Sequence, residues 1–296
     1  MESVLTINHL SKNYGKIKAV NDLSFSVPKQ SIFGILGPNG SGKTTTLGMV
    51  LGVINSTSGD YSWFGESPKA SLRRKIGAIL ETPTFYPYLS AVDNLLIVAK
   101  IKQANEKNIE SVLKTVGLYE RKDYAFSTFS LGMKQRLAIA AALIADPEVL
   151  ILDEPTNGLD PQGIADIRNL IRDIAKQGKT IILASHLLDE VEKVCNHMIV
   201  MRSGKLLYEG KVADLLGNQN SFEVKSDSLQ KLEEVAKNWN IIHKIDKTDT
   251  SLILACSDDI TGASLNKYFY EQGVILSQIN AHHTSLEKKF LELLND

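Results

Sequence analysis

Ser31-Ile32-Phe33-Gly34-Ile35-Leu36 runs straight into Gly37-Pro38-Asn39-Gly40-Ser41-Gly42-Lys43-Thr44, and the rest of the chain is read outward from this junction. The first six residues form a short apolar run that predicts a buried strand. The next eight fit G-x-x-x-x-G-K-[ST], the phosphate-loop pattern. Glycines let backbone N–H groups curl around phosphate oxygens in conformations that a side chain would block. Lys43 is placed to neutralise β- and γ-phosphates, and Thr44 to offer its hydroxyl to Mg²⁺. A helix starting near Lys43 aims its positive end at the same anion. Gly37, Pro38, Asn39, Gly40, Ser41, Gly42, Lys43, Thr44 and the adjoining Thr45 are therefore the expected nucleotide-binding residues.

Around the loop, residues 4–215 alternate apolar runs, glycine loops and helical patterns, which predicts an α/β domain with a parallel or mixed sheet. Val4–Asn8, Leu23–Val27, Val149–Leu152 and Thr180–Ala184 read as strands, and Met198–Met201 with Lys205–Glu209 as a closing hairpin across Ser203-Gly204. The run Val149-Leu150-Ile151-Leu152 ends in Asp153-Glu154-Pro155. Two adjacent acids at the C-terminal end of a buried strand make a metal site beside a catalytic base. Successive strand residues point to opposite sides, so Asp153 is assigned to Mg²⁺ and Glu154 to the attacking water.

Composition narrows the class. The 296 residues carry a formal net charge of −1, which gives no electrostatic footprint for nucleic acid. Cys195 and Cys256 lie in apolar stretches without metal-ligand spacing and read as buried thiols. Met1–Leu10 lacks the features of a signal peptide. The longest apolar run, Leu137–Ala145, is far short of the roughly 20 residues that span a bilayer. Trp63 and Trp239 are expected to pack, Lys134 and Arg136 to be helix-surface charges, and His282-His283 to face solvent.

Phe129-Ser130-Leu131-Gly132-Met133-Lys134-Gln135-Arg136 resembles the signature motif of ATP-binding cassette (ABC) proteins, usually L-S-G-G-Q. Gly158-Leu159-Asp160 resembles their D-loop, His186 after Leu183-Ala184-Ser185 their switch histidine, and Tyr14 the aromatic ring under adenine. The resemblance covers residues 4–215, with the motifs in the family's order. It implies an ATPase subunit of a transporter, with ATP and Mg²⁺ as cofactors and Lys43, Glu154 and His186 as its catalytic set. It also implies a homodimer of cassettes paired head to tail, in which Ser130 and Gly132 face the nucleotide held by the partner, and it adds Asp160 of the D-loop to the nucleotide-binding residues. A membrane permease on a separate chain would be driven from the cytoplasmic face of the plasma membrane.

Two departures stand out. Leu131-Gly132-Met133 replaces G-G-Q, and Glu81 stands where the family places a glutamine; a carboxylate there could still ligate Mg²⁺ or its waters. Glu81, Phe85-Tyr86-Pro87 and the closing Ser285–Leu291 resemble bacterial ABC-2-type exporters, including bacitracin- and lantibiotic-resistance cassettes. A single phosphate loop and a short spacing to the signature argue against translation and repair members of the family.

The expected domains are 1–216, with a helical subdomain at about 85–145, and 221–296 after a polar linker at Gly217–Asn220. The second reads strand, helix, strand, strand, helix, strand, a small ferredoxin-like α+β module. A last helix over Ser285–Leu294 is expected to carry Leu286, Phe290, Leu293 and Leu294 on one face and to add a dimer contact.

Overall fold

The strand Ile32–Leu36 is buried at every position and lies inside a six-stranded sheet. The computed structural model describes residues 2–80, 84–216, 220–257, 260–282, 286–287 and 289–290. Two compact units divide the chain, Met1–Val212 and Ala213–Asp296.

In chain order the first unit contains β1 (Ser3–Tyr14), β2 (Ile17–Pro28), β3 (Ile32–Leu36), α1 (Lys43–Val50), β4 (Ser58–Trp63) and β5 (Ile76–Ile79). There follow α2 (Ala91–Lys102), α3 (Asn108–Thr115), α4 (Leu131–Leu143), β6 (Val149–Asp153), α5 (Pro161–Lys176), β7 (Thr180–Ser185), α6 (Leu188–Val194), β8 (His197–Arg202) and β9 (Lys205–Lys211). The main sheet runs β5-β6-β7-β3-β8-β9, parallel except for the antiparallel edge strand β9. A second sheet, β2-β1-β4, is antiparallel throughout.

One core joins the two sheets. Leu5, Ile7 and Phe25 of the antiparallel sheet meet Ile35, Ile151 and Ile199 of the main sheet, with Leu47, Met49 and Val50 of α1 in the same cluster. Helix α1 is buried from Thr46 to Val50, its apolar half, while its first turn carries the polar residues of the loop. Phe25 stacks on Phe33 at 5.6 Å, and buried Trp63 donates its Nε1–H to the Val50 carbonyl at 2.8 Å.

The strands β1 and β2 run well past the expected Val4–Asn8 and Leu23–Val27, because in their far halves only Leu10 and Val20 are buried, too few to make an apolar pattern. Strands β4 and β5 were not anticipated: Ser58-Gly59-Asp60 is exposed and polar, and β5 spans only four residues. Helices α2, α3 and α4 are inserted between β5 and β6. Among the described residues no helix is long and apolar enough to cross a membrane.

Helix α7 (Val212–Leu216) precedes β10 (Asn220–Ser226), α8 (Leu229–Lys237), β11 (Ile242–Lys247), β12 (Leu252–Cys256), α9 (Gly262–Glu271) and β13 (Leu276–His282). These strands form an antiparallel sheet in the order β11-β12-β10-β13. Phe222, Val224, Leu232, Leu254, Leu265 and Phe269 build a separate core, and Trp239 stacks on Tyr268 at 3.8 Å. Both cysteines are buried, and burial pushes the Cys256 thiol up to about 11. Of the expected closing helix, Leu286 and Phe290 are helical and Leu286 is buried; Leu293 and Leu294 lie outside the described residues, as does His283.

Candidate functional site

Between β3 and α1 the backbone turns through Gly42, whose φ of 103° belongs to the region that L side chains avoid. A Cβ there would also sit 2.5 Å from the Ala19 carbonyl oxygen, so glycine is required twice over. Pro38, Asn39 and Gly40 are exposed at the tip of the loop, while Gly37, Ser41 and Lys43 are buried. The Lys43 ammonium donates to the Gly37 carbonyl at 2.8 Å and lies 3.4 Å from Glu154 Oε1. Thr45 follows within α1, partly buried.

Asp153 is in register with Val149 and Ile151, the face of β6 that meets the α1 core. Its carboxylate, 3% exposed, accepts the Thr44 hydroxyl at Oδ2 at 2.7 Å. A hydroxyl and a carboxylate brought into contact beside a phosphate loop form a hard-oxygen donor set that suits Mg²⁺. The third residue expected there, Glu81, lies outside the described residues.

Glu154 breaks the strand: its φ is 48°, unusual for a residue with a side chain. The turn sends its carboxylate to the lysine side, while its N–H donates to the Ala184 carbonyl at 2.9 Å and ties the ends of β6 and β7 together. Glu154 Oε2 stands 2.8 Å from His186 Nδ1 and accepts the backbone N–H of His186 at 3.4 Å. Lys43, Glu154 and His186 therefore form one continuous chain of polar contacts.

Ser130, Gly132 and Asp160 gather at a different place. They line a hollow of about 450 Å³ with Leu159 and Arg136. Ser130 caps α4, its Oγ accepting the Met133 N–H at 3.3 Å, and Asp160 caps α5, its Oδ1 accepting the Gly163 N–H at 2.8 Å ahead of Pro161. Lys134 lies over the Phe126 ring at 5.4 Å. Arg136 is not the plain surface charge expected: partly buried, it bonds Asp166 of α5 at 2.6 Å and the Val116 carbonyl at 3.3 Å, joining the helical insertion to the main domain. Tyr14 is half-exposed at the end of β1, with the Lys12 ammonium 5.1 Å from its ring centre.

Sequence reasoning passed over Ser185 and Glu190, both buried behind His186. The available signal was an acid next to Val191 and four residues before Val194, on the stripe of α6 that must face the sheet.

The family model for ABC transporters matches residues 20–157. The chain is 41% identical to the bacitracin transport ATP-binding protein BcrA of Bacillus licheniformis over 99% of its own length and 98% of that protein. It is 40% identical to the lantibiotic transport ATP-binding protein SrtF of Streptococcus pyogenes, over 74% of this chain and 99% of the relative. Among solved structures it is similar to cbiO1 from Clostridium perfringens, part of the ABC transporter complex cbiONQ: TM-score 0.67, 30% identity, covering 73% of this chain and 91% of that one. With relatives aligned along nearly its whole length and a phosphate loop wired to an acid and a histidine, the chain belongs to the ABC transporter family, as one of its ATP-binding subunits.

Proposed function

We propose that Glu154 activates the hydrolytic water and that this ATPase powers a bacterial exporter. What carries the reading is the contact chain Lys43–Glu154–His186 beside the phosphate loop. His186 fixes the Glu154 carboxylate from two sides, through its ring and its N–H, which leaves Glu154 Oε1 toward Lys43. A carboxylate so held is oriented before substrate arrives and keeps its acceptor oxygens for a water proton. Lys43 and the N-terminus of α1 attract the phosphates, and Thr44 with Asp153 would hold Mg²⁺. When bound, that ion supplies charge neutralisation on the phosphate oxygens. Glu81 joins this set on its sequence position alone.

Two copies pair head to tail, so that Ser130, Gly132 and Asp160 of one meet the nucleotide of the other. The hollow at two capped helix ends supports this reading. The pair sits at the cytoplasmic face of the membrane, driving a separate permease. The relatives named for bacitracin and lantibiotic transport favour peptide antibiotics as cargo. The region 221–296, within the second unit, is read as ferredoxin-like and as an additional dimer contact.

The test is Glu154→Gln in the full chain. We expect ATP binding to persist, turnover to fall at least about a hundredfold, and a stable ATP-bound dimer to appear by light scattering. A variant that hydrolyses ATP at the wild-type rate would remove Glu154 from the mechanism.

A further inference from the structure

Helix α6 rests directly on the strand that feeds the phosphate loop. A Cβ at Gly34 of β3 would lie 2.8 Å from Val191 Cγ1 and 3.1 Å from Cys195 Sγ, so the absent side chain is what lets the helix approach. Next to Val191 on this helix sits Glu190, only 2% exposed. The Cys195 thiol is pushed up by burial and, secondarily, by the Glu190 carboxylate. A carboxylate is seldom buried this deeply, and replacement of a buried charge by a well-packed apolar group often stabilises a fold. Glu190 Oε1 is buried with no hydrogen-bond partner among the described residues, so stability does not explain the acid.

Its other oxygen does have a partner. Glu190 Oε2 accepts the Ser185 hydroxyl at 3.0 Å, and the same Ser185 Oγ accepts the Leu187 N–H at 3.0 Å. The Ser185 carbonyl accepts the N–H of Gly37, the first residue of the phosphate loop, at 3.4 Å. His186 lies between these two anchored residues, and its ring reaches Glu154 at 2.8 Å. With its proton committed to Glu190, the Ser185 hydroxyl keeps a lone pair aimed at Leu187, and the backbone that carries His186 is fixed on both sides.

We infer that Glu190 is a positioning residue for ATP hydrolysis, acting through the Ser185 hydroxyl to hold His186 against Glu154. This rests on the proposed roles of Glu154 and His186. Without an acceptor at position 190 the hydroxyl turns freely, and the His186–Glu154 contact loses its fixed geometry while the phosphate loop still binds nucleotide.

The experiment measures kcat, KM for ATP and melting temperature in the full chain for wild type, H186A, E190L, E190Q, S185A and S185A/E190L. E190L is expected to lower kcat about tenfold, to move KM less than about twofold and to melt no lower than wild type. E190Q keeps an acceptor oxygen and is expected within about threefold of wild type. The double variant is expected to be no slower than its slower parent, because the two residues act in series. E190L turning over at the wild-type rate while H186A is slow overturns the inference alone. E190Q as slow as E190L, or losses in S185A and E190L that multiply, overturn it as well. H186A at the wild-type rate overturns the underlying role of His186 and this inference with it.

Discussion

Around the phosphate loop the polar side chains hold one another, whereas around the signature segment they hold the ends of their own helices. Lys43 meets Glu154, Glu154 meets His186, and Thr44 meets Asp153, across α1, β6 and the end of β7. Ser130 and Asp160 instead spend their oxygens on the N–H groups of Met133 and Gly163, within α4 and α5. The first arrangement is assembled from distant parts of the sequence and is oriented before any ligand arrives. The second is local, and presents two helix N-termini at a hollow whose acids are already engaged, Asp160 in its own cap and Asp166 with Arg136. One region is prepared for chemistry within a single chain. The other, on the pairing proposed above, awaits a nucleotide carried by a second chain.

The contrast can be broken most sharply at Lys43. Lys43→Ala removes the one buried cation of the loop and is expected to weaken ATP binding at least about a hundredfold, read by fluorescent-nucleotide titration. Retained affinity would mean that the loop backbone alone suffices. Gly132→Asp probes the other region by placing a negative charge where the proposed pairing brings a phosphate. Nucleotide binding by the isolated subunit should stay within about twofold, while turnover and ATP-driven dimerisation fall about a hundredfold. An equal loss of binding would show that the two regions do not work on different chains. Asp160→Ala is the mildest change. Loss of the α5 cap should cost about 1 kcal/mol of stability by denaturant melting, with Asp160→Asn largely restoring it. A larger loss of turnover in Asp160→Asn than in stability would mark a role for the carboxylate beyond capping.

How much of this was legible in the residues follows from how local each signal is. The phosphate loop and the Asp153-Glu154 pair could be read because each adjoins a buried strand whose apolar run is unbroken, β3 and β6, whereas His186 after β7 was reached through the family resemblance. The two acids do diverge, one against Thr44 and the other against His186, but through the turn at Glu154 beyond the end of β6 rather than through the strand alternation that the sequence suggested. The sheet edges were not legible. Ser58–Trp63 becomes a strand because it pairs with β1, not because its own residues favour one. The Arg136–Asp166 bond joins residues on helices whose spacing in the chain says nothing of their contact. Glu190 was hidden for another reason: on a seven-residue helix the buried stripe holds too few positions for one acid to look out of place.

The backbone at Glu154, with its φ of 48°, has a meaning for how this protein changes over generations. Holding a side-chain-bearing residue in that posture costs about 1 kcal/mol, and a glycine there would be free of the cost. Mutation filtered only for folding would drift away from an acid at this position, toward a quieter and more stable chain. The site is therefore not one that the fold maintains by default. If Glu154 has the role proposed for it, that role is inherited against the grain of stability, and a lineage released from transport would be expected to lose the acid there first.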